Sequence, residues 1–213
     1  MAKIIVSPSI LAADMTKLGD CVKAVEKAGA KYLHVDIMDG HFVPNLSFGP
    51  AVLKSVRSIS DMVMDVHLML ENPIDYIDAF ADAGADIITV HTEAKSDVKE
   101  CIDKIHSRGI KAGVVINPDT DFTAVLPYKD MIEIVLVMSV YPGFGGQKFI
   151  SSVLEKTKKL RELLPEKVDI EIDGGIGLSN FRDAINAGVN ILVAGSSIFG
   201  ADDMEKVIGE MLS

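Results

Sequence analysis

Tryptophan is absent, and only four tyrosines and two cysteines occur among the 213 residues. Cys21 and Cys101 both fall in helix-like stretches without CxxC or other ligand spacing, which excludes a disulfide framework and a thiolate metal site and leaves two reduced packing residues. No apolar run approaches the ~20 residues that span a bilayer. The best candidate, Ile4 to Ala13, is broken at Ser7, Pro8 and Ser9, ends at Asp14, and has no basic leader of the kind a signal peptide carries. A cytoplasmic protein with no membrane partner is therefore expected. Positive charge is also scarce: 21 Lys and Arg against 31 Asp and Glu give a net charge of -10, which argues against nucleic acid as a partner. That deficit leaves a small phosphorylated substrate open, because backbone amides at helix N-termini hold a phosphate without any lysine or arginine. Linkers rich in Ser, Pro or charge are missing too, so residues 1–213 are expected to form one domain, with 48% hydrophobic residues and 17 glycines suiting an α/β core.

What is present is a regular alternation. Strand-like runs fall at about residues 4–10, 31–37, 62–68, 86–91, 111–116, 132–138, 168–172 and 190–194, each separated by a helix-like pattern. A weak repeat accompanies them: Ala28-Gly29-Ala30, Ala83-Gly84-Ala85, Arg108-Gly109-Ile110 and Ala187-Gly188-Val189 each close a helix shortly before a strand. A helix that reverses into a strand needs a left-handed residue at its end, and glycine adopts that conformation at least cost. Eight βα units in one chain predict a single-domain (β/α)8 TIM barrel. A doubly wound open sheet would carry a Gly-rich dinucleotide loop after its first strand, and Ser9-Ile-Leu-Ala-Ala-Asp14 is unlike one.

Polar residues gather where such a barrel keeps its chemistry. Ser9, His34, Asp36, His67, His91, Asn117 and Asp173 all lie at or near the C-terminal ends of predicted strands. His34-Val-Asp36, Asp65-Val-His67 and Glu171-Ile-Asp173 share one layout, two polar side chains on the same face of a strand. Convergence of strands two, three and seven predicts that His34, Asp36, His67 and Asp173 hold one divalent cation, with N and O donors that suit Zn2+, Fe2+, Mn2+ or Co2+. A lone His or Asp at a strand end is ordinarily a cap or a satisfied turn residue; four that converge are a site. Asp65 and Glu171 are expected one layer deeper, and Lys111 at the start of strand five is their expected ion-pair partner.

Phosphate is the second signal. Tyr141-Pro-Gly-Phe-Gly-Gly-Gln147, Asp173-Gly-Gly-Ile-Gly177 and Ala194-Gly-Ser-Ser197 follow strands six, seven and eight, where barrels of this kind cradle phosphate. Turn chemistry explains any one of these loops, but less readily three on adjacent strands. Met38, Met69 and Met138 each sit just past a polar strand end. Such methionines ordinarily fill a core; here they could instead wall a reactive intermediate off from charge.

Along nearly its whole length the sequence resembles ribulose-phosphate 3-epimerases. The resemblance is carried by Ser7-Pro-Ser-Ile-Leu-Ala-Ala-Asp14, His34-Val-Asp-Ile-Met-Asp-Gly-His-Phe-Val-Pro-Asn45, Asp65-Val-His-Leu-Met69, Met138-Ser-Val, Pro142-Gly-Phe-Gly-Gly-Gln147, Asp173-Gly-Gly175 and Ala194-Gly-Ser196. It implies a metal-dependent isomerase interconverting D-ribulose 5-phosphate and D-xylulose 5-phosphate. Inversion at C3 needs a proton removed on one face and returned on the other, and Asp36 and Asp173 are the expected pair. By similarity Ser9 and His67 touch the sugar, while Gly143, Gly145, Gly146, Gly174, Gly175, Gly195 and Ser196 hold the phosphate and nearby groups. Phe144 lies in a Gly-hinged loop suited to closing over the site. Tyr141 before Pro142 and Thr92 after His91 depart from the commonest pattern at the expected substrate rim, so the longer sugar D-allulose 6-phosphate stays open. A phosphosugar lyase or decarboxylase and a non-catalytic phosphosugar-binding module compete with the epimerase. The Asp-x-Lys-x-x-Asp motif of related decarboxylases finds no lysine in Asp36-Ile-Met-Asp39. Exposed apolar helix faces would suit a homo-oligomer.

Overall fold

Apolar residues at every second position make a strand that buries one face under helices and turns the other inward. Eight runs in this chain do so. The computed structural model, which describes residues 3–213, forms parallel strands β1 (Ile5–Pro8), β2 (Tyr32–Met38), β3 (Val63–Met69), β4 (Ile87–His91), β5 (Lys111–Ile116), β6 (Ile134–Met138), β7 (Asp169–Asp173) and β8 (Ile191–Ala194). Their order around the sheet is β1-β8-β7-β6-β5-β4-β3-β2, and a parallel bridge between Ser9 and His34 brings the two ends together into a single-domain (β/α)8 TIM barrel. The expected strands sit within two residues of the observed starts, though β1 ends early because Ser9 caps a short 3-10 turn.

Helices α1 (Leu18–Lys27), α2 (Pro50–Arg57), α3 (Ile77–Asp82), α4 (Val98–Ser107), α5 (Val153–Leu163), α6 (Phe181–Asn186), α7 (Ser196–Phe199) and α8 (Met204–Met211) complete the chain. None of the described helices is long and apolar enough to cross a membrane. The helix-like pattern expected between β5 and β6 is a 3-10 segment instead, Phe122–Tyr128, with Pro127 inside it. Proline removes a backbone donor and clashes with the preceding turn, so a regular α-helix is blocked there. Cys21 and Cys101 lie in α1 and α4 as free thiols.

Outward residues Leu33, Val35 and Ile37 of β2 join Val22, Val25 and Leu53 of the flanking helices in the main core. Inward residues stack in layers drawn from alternate strands. Tyr32, Ile87, Ile134 and Ile191, from β2, β4, β6 and β8, form an apolar floor at the N-terminal end of the barrel. Above it the odd strands contribute Ser7, Asp65, Gly113 and Glu171, and the interior turns polar. Gly113 is dictated by space: a Cβ there would meet Thr89 Cγ2 at 2.8 Å and the Ile134 carbonyl at 2.9 Å.

The glycine repeat has a structural partner that the sequence does not advertise. Gly84 after α3 and Gly188 after α6 have φ near 102° and 101°, and across each lies an arginine from the end of the preceding helix, Arg57 on Gly84 and Arg161 on Gly188. Each guanidinium donates to the carbonyls that leave its own helix: Arg57 to Met62 O at 2.9 Å and to Ser60 O, Arg161 to Val168 O at 2.8 Å and Pro165 O at 2.7 Å. Gly84→Ala adds a Cβ only 2.6 Å from Arg57 Cγ at a left-handed φ, whereas Gly109→Ala meets nothing within 4 Å. The expected cost of Gly84→Ala is about 1–3 kcal/mol beyond the ~1 kcal/mol left-handed penalty that Gly109→Ala carries alone. Denaturant midpoints of the two variants measure the difference.

Candidate active site

Asp36 stands at the centre of the barrel mouth. One carboxylate oxygen, Oδ2, accepts a 2.5 Å hydrogen bond from the Ser9 hydroxyl, and the other, Oδ1, lies 3.3 Å from His34 Nε2 and 3.2 Å from His67 Nδ1. His34, Asp36 and His67 are buried, Asp173 is half-buried at the end of β7, and each offers a ligand atom within 4.8 Å of the others. The four residues expected to hold a cation therefore meet at one point, brought there by β2, β3 and β7.

The layer beneath explains why His34 is aimed at that point. His34 Nδ1 lies 2.7 Å from Asp65 Oδ2 and 3.6 Å from Glu171 Oε1, and Asp65 also accepts from the Ser7 hydroxyl at 3.3 Å. With Nδ1–H given to Asp65, His34 Nε2 points its lone pair into the mouth, where it is fully buried and has no hydrogen-bond partner. A buried nitrogen without a partner among carboxylates is the arrangement a divalent cation completes. Lys111, the expected partner of Asp65 and Glu171, is exposed at the start of β5 and pairs with neither. Strand tilt is the reason: Ile87, in register with Asp65 on β3 and with Lys111 on β5, already lies on the barrel floor, so the same level on β5 is the outer rim.

Electrostatics follow from this packing. Burial disfavours charge on His34, but Asp36 and Asp65 on its two sides raise its pKa well above the ordinary value, so the pocket is built to hold positive charge. Burial likewise opposes ionisation of Asp36, yet the neighbouring His34 and His67 imidazoles hold its carboxyl well below the usual range. Asp173 is pushed up to about 7 by burial and by the neighbouring charge of Asp36. Burial raises Glu171, and the charge of Asp65 adds to it. Burial lowers His67 to about 4.

Beside this cluster opens a small cavity of about 50 Å³, lined by Ser9, Leu11, Ala12, Val140, Phe144, Gly145, Gly146, Gln147, Gly174, Gly175, Ile176, Gly195 and Ser196. Ser9 thus joins the cavity to Asp36. Two of the glycines are required by their surroundings: a Cβ on Gly174 would sit 2.7 Å from Val140 N, and one on Gly175 would sit 2.7 Å from Gln147 O and Phe149 N, both at left-handed φ. His67 and Gly143 do not line this space. Gly143 packs on Val43, and its carbonyl accepts from Asn45 Nδ2 at 2.7 Å, which pins the near end of the loop. Gln147 ties the far end through Nε2 to the Tyr141 and Phe144 carbonyls at 2.6 and 2.9 Å, leaving the Phe144 ring 55% exposed at the tip. Met38 and Met69 pack together with Val43, whereas Met138 packs apart from them with Val115, Leu136 and Val140, so the three do not form one continuous wall. Thr92 and Tyr141 also stand away from the cavity: Thr92 bonds the Val115 carbonyl, and the Tyr141 hydroxyl donates to Asp119 at 2.6 Å.

Sequence reasoning places His91 at a strand end but outside the metal set, and it does not single out Glu93. His91 is fully buried with Nε2 2.8 Å from His67 Nε2, and its Nδ1 lies 3.2 Å from Glu93 Oε2. Burial raises the Glu93 carboxyl, but hydrogen bonds from His91, Thr120 and the Asn117 amide override it and hold it at about 2. The signal in the sequence is the spacing His91-Thr-Glu93 at a strand end, the same one-apart layout as the other pairs.

Residues 5–199 match the model of the ribulose-phosphate 3 epimerase family. The ribulose-phosphate 3-epimerase of Bacillus subtilis is 49% identical over 97% of both chains, and the chloroplastic enzyme of Arabidopsis thaliana is 50% identical over 96% of this chain and 75% of its own. A cytoplasmic isoform from Oryza sativa is 44% identical over 97% of this chain and 92% of its own. Among solved structures, 3-hexulose-6-phosphate synthase from Salmonella typhimurium superposes with a TM-score of 0.71 at 17% identity, over 98% of this chain and 97% of that one. The tryptophan synthase A-subunit of Pyrococcus furiosus gives 0.71 at 14% identity, over 99% and 97%. Likeness at that level is of fold alone.

Removing Asp65 would strand His34 Nδ1 and the Ser7 hydroxyl and leave Glu171 without its neighbour. Asp65→Ala is expected to cost about 3–5 kcal/mol in urea unfolding, as for any broken buried ionic contact. Lys111→Ala, at an exposed position, is expected to stay within about 0.5 kcal/mol of the parent.

Proposed function

Because this chain belongs to the ribulose-phosphate 3-epimerase family, we propose that its site inverts C3 of D-ribulose 5-phosphate, giving D-xylulose 5-phosphate, with Asp36 and Asp173 as the two groups that remove and return a proton at C3. The observation that carries this reading is the meeting of two carboxylates with two imidazoles inside 4.8 Å, from strands well apart in the sheet. Epimerisation next to a ketone needs one group to take the C3 proton and another, on the opposite face, to return one. Even before a cation is considered, the surroundings treat the two differently: they favour the ionised form of Asp36 and oppose ionisation of Asp173. One of the two would take the C3 proton and the other return one, and the roles exchange in the reverse direction.

His34, Asp36, His67 and Asp173 are the residues that would hold one divalent cation, Zn2+, Fe2+, Mn2+ or Co2+. A cation held there would supply the positive charge that stabilises the negative charge developing as the C3 proton leaves. The protein's own part is to place and seal. Ser9, between Asp36 and the cavity, would orient the sugar and fix the carboxylate that faces it. Gly174, Gly175, Gly195 and Ser196 would bring backbone amides to the phosphate, with Gly145 and Gly146 closing over it and Phe144 excluding water as the lid. His67 and Gly143 would act behind this surface, His67 on the cation and Gly143 as the anchored hinge of the lid.

Protein loaded with metal and incubated with D-ribulose 5-phosphate in heavy water is expected to gain deuterium at C3 while xylulose 5-phosphate appears. Release of carbon dioxide, or binding without exchange, would overturn the reading. Asp173→Asn is expected to retain the fold by circular dichroism and to lose about 10²–10⁴-fold or more in turnover. Chelation is expected to abolish turnover and readdition of one equivalent of Co2+ or Zn2+ to restore it.

A further inference from the structure

His67 is gripped on both ring nitrogens, and the two grips compete. Nδ1 lies 3.2 Å from Asp36 Oδ1, on the side of the cluster, while Nε2 lies 2.8 Å from His91 Nε2, on the far side. A neutral imidazole carries one proton. If that proton sits on Nδ1 it is shared with Asp36, and His67 has nothing to offer a cation. If it sits on Nε2, Nδ1 presents a lone pair to the cluster. Left to Asp36 alone, the first arrangement would win, because a carboxylate is the stronger acceptor.

We propose that Glu93 and His91 form a positioning relay that draws the His67 proton to Nε2 and so keeps Nδ1 free to bind a divalent cation. Its direction is fixed at the Glu93 end. Glu93 Oε1 accepts from the Asn117 amide at 2.9 Å and from the Thr120 hydroxyl, so this carboxylate is anchored as an acceptor. Its Oε2, 3.2 Å from His91 Nδ1, therefore accepts a hydrogen bond from that nitrogen, which keeps the His91 proton. His91 Nε2 is left with a lone pair, and the proton in the 2.8 Å contact has to come from His67 Nε2. Water cannot stand in for the relay, since both imidazoles are fully buried and the Phe42 ring covers His91 with centroids 4.6 Å apart. Partners of this kind behind a metal-ligating histidine fix its tautomer and tune its affinity.

The inference rests on the reading of His34, Asp36, His67 and Asp173 as a cation site, and its test separates the two. Glu93→Gln preserves shape but reverses polarity. With its amide oxygen still needed by Asn117 and Thr120, the NH2 faces His91 Nδ1, which must then accept; His91 Nε2–H donates to His67 Nε2, and the His67 proton is forced onto Nδ1. His91→Phe keeps a ring in place and deletes the acceptor. Both variants are expected to bind Co2+ about 10–100-fold more weakly than the parent in equilibrium dialysis. The visible absorption of bound Co2+ is expected to change with them, while the unfolding midpoint of metal-free Glu93→Gln stays with the parent. A parent that binds no Co2+ would overturn the cation site and the relay with it. Parent-like Co2+ affinity in both variants would overturn the relay alone, as would a Glu93→Gln affinity loss matched by an equal loss of metal-free stability.

Discussion

Four carboxyl groups inside one barrel, Asp36, Asp65, Glu171 and Asp173, set the terms for everything around them. Charge of one sign cannot be buried at that density unless protons or cations are held among the groups. The fold supplies both. Glu171 is favoured in its protonated form beside Asp65, and His34 bridges the lower pair to the upper one. Buried atoms of the cluster left without a hydrogen-bond partner are His34 Nε2, beside Asp36, and Asp65 Oδ1 and both oxygens of Glu171 beneath it. Such a cluster could hold a small cation, whose charge would in turn stabilise negative charge on its far side.

The barrel provides this without a rigid cage of loops because its inward layers alternate in chemistry. The floor of Tyr32, Ile87, Ile134 and Ile191 closes the bottom to water. Ser7, Asp65, Gly113 and Glu171 form a polar layer on it, in which Gly113 makes the room that the larger groups use. His34, then His67 and Asp173, then Asp36 and His91 rise from successive levels toward the mouth, and His34 and His67 each contact side chains of neighbouring strands. The glycine loop proposed for phosphate directly follows Asp173 on β7, where Gly174 and Gly175 occupy space in which a side chain would meet Val140 and Phe149.

Much of this is legible in the sequence because it depends on a period of two. His34-Val-Asp36, Asp65-Val-His67 and Glu171-Ile-Asp173 announce inward pairs wherever the strands are found, and glycines at helix ends mark where those strands begin. What a linear reading misses is the stagger between strands. Flat levels would set Lys111 beside Asp65, whereas strand tilt carries it to the outer rim. The same stagger raises His91 on β4 to the level of Asp36 on β2, so a histidine with no ligand role in the sequence reading becomes the neighbour of one that has.

That stagger also explains why the candidate ligands of β2 and β3 are supported from neighbouring strands, by Ser9 after β1, Asp65 on β3 and His91 on β4. In a barrel of alternating layers, an inward side chain is flanked above and below by side chains from adjacent strands, not by its own strand neighbours two residues away. Asp36 is held by Ser9 and His67, His67 by Asp36 and His91, and His34 by Asp65. Each of these contacts spans strands that are neighbours in the sheet or through the Ser9–His34 closure. A change in closure or tilt would therefore disturb the candidate ligands together, which makes the parallel register itself, rather than any one loop, the element that sets the geometry of the site.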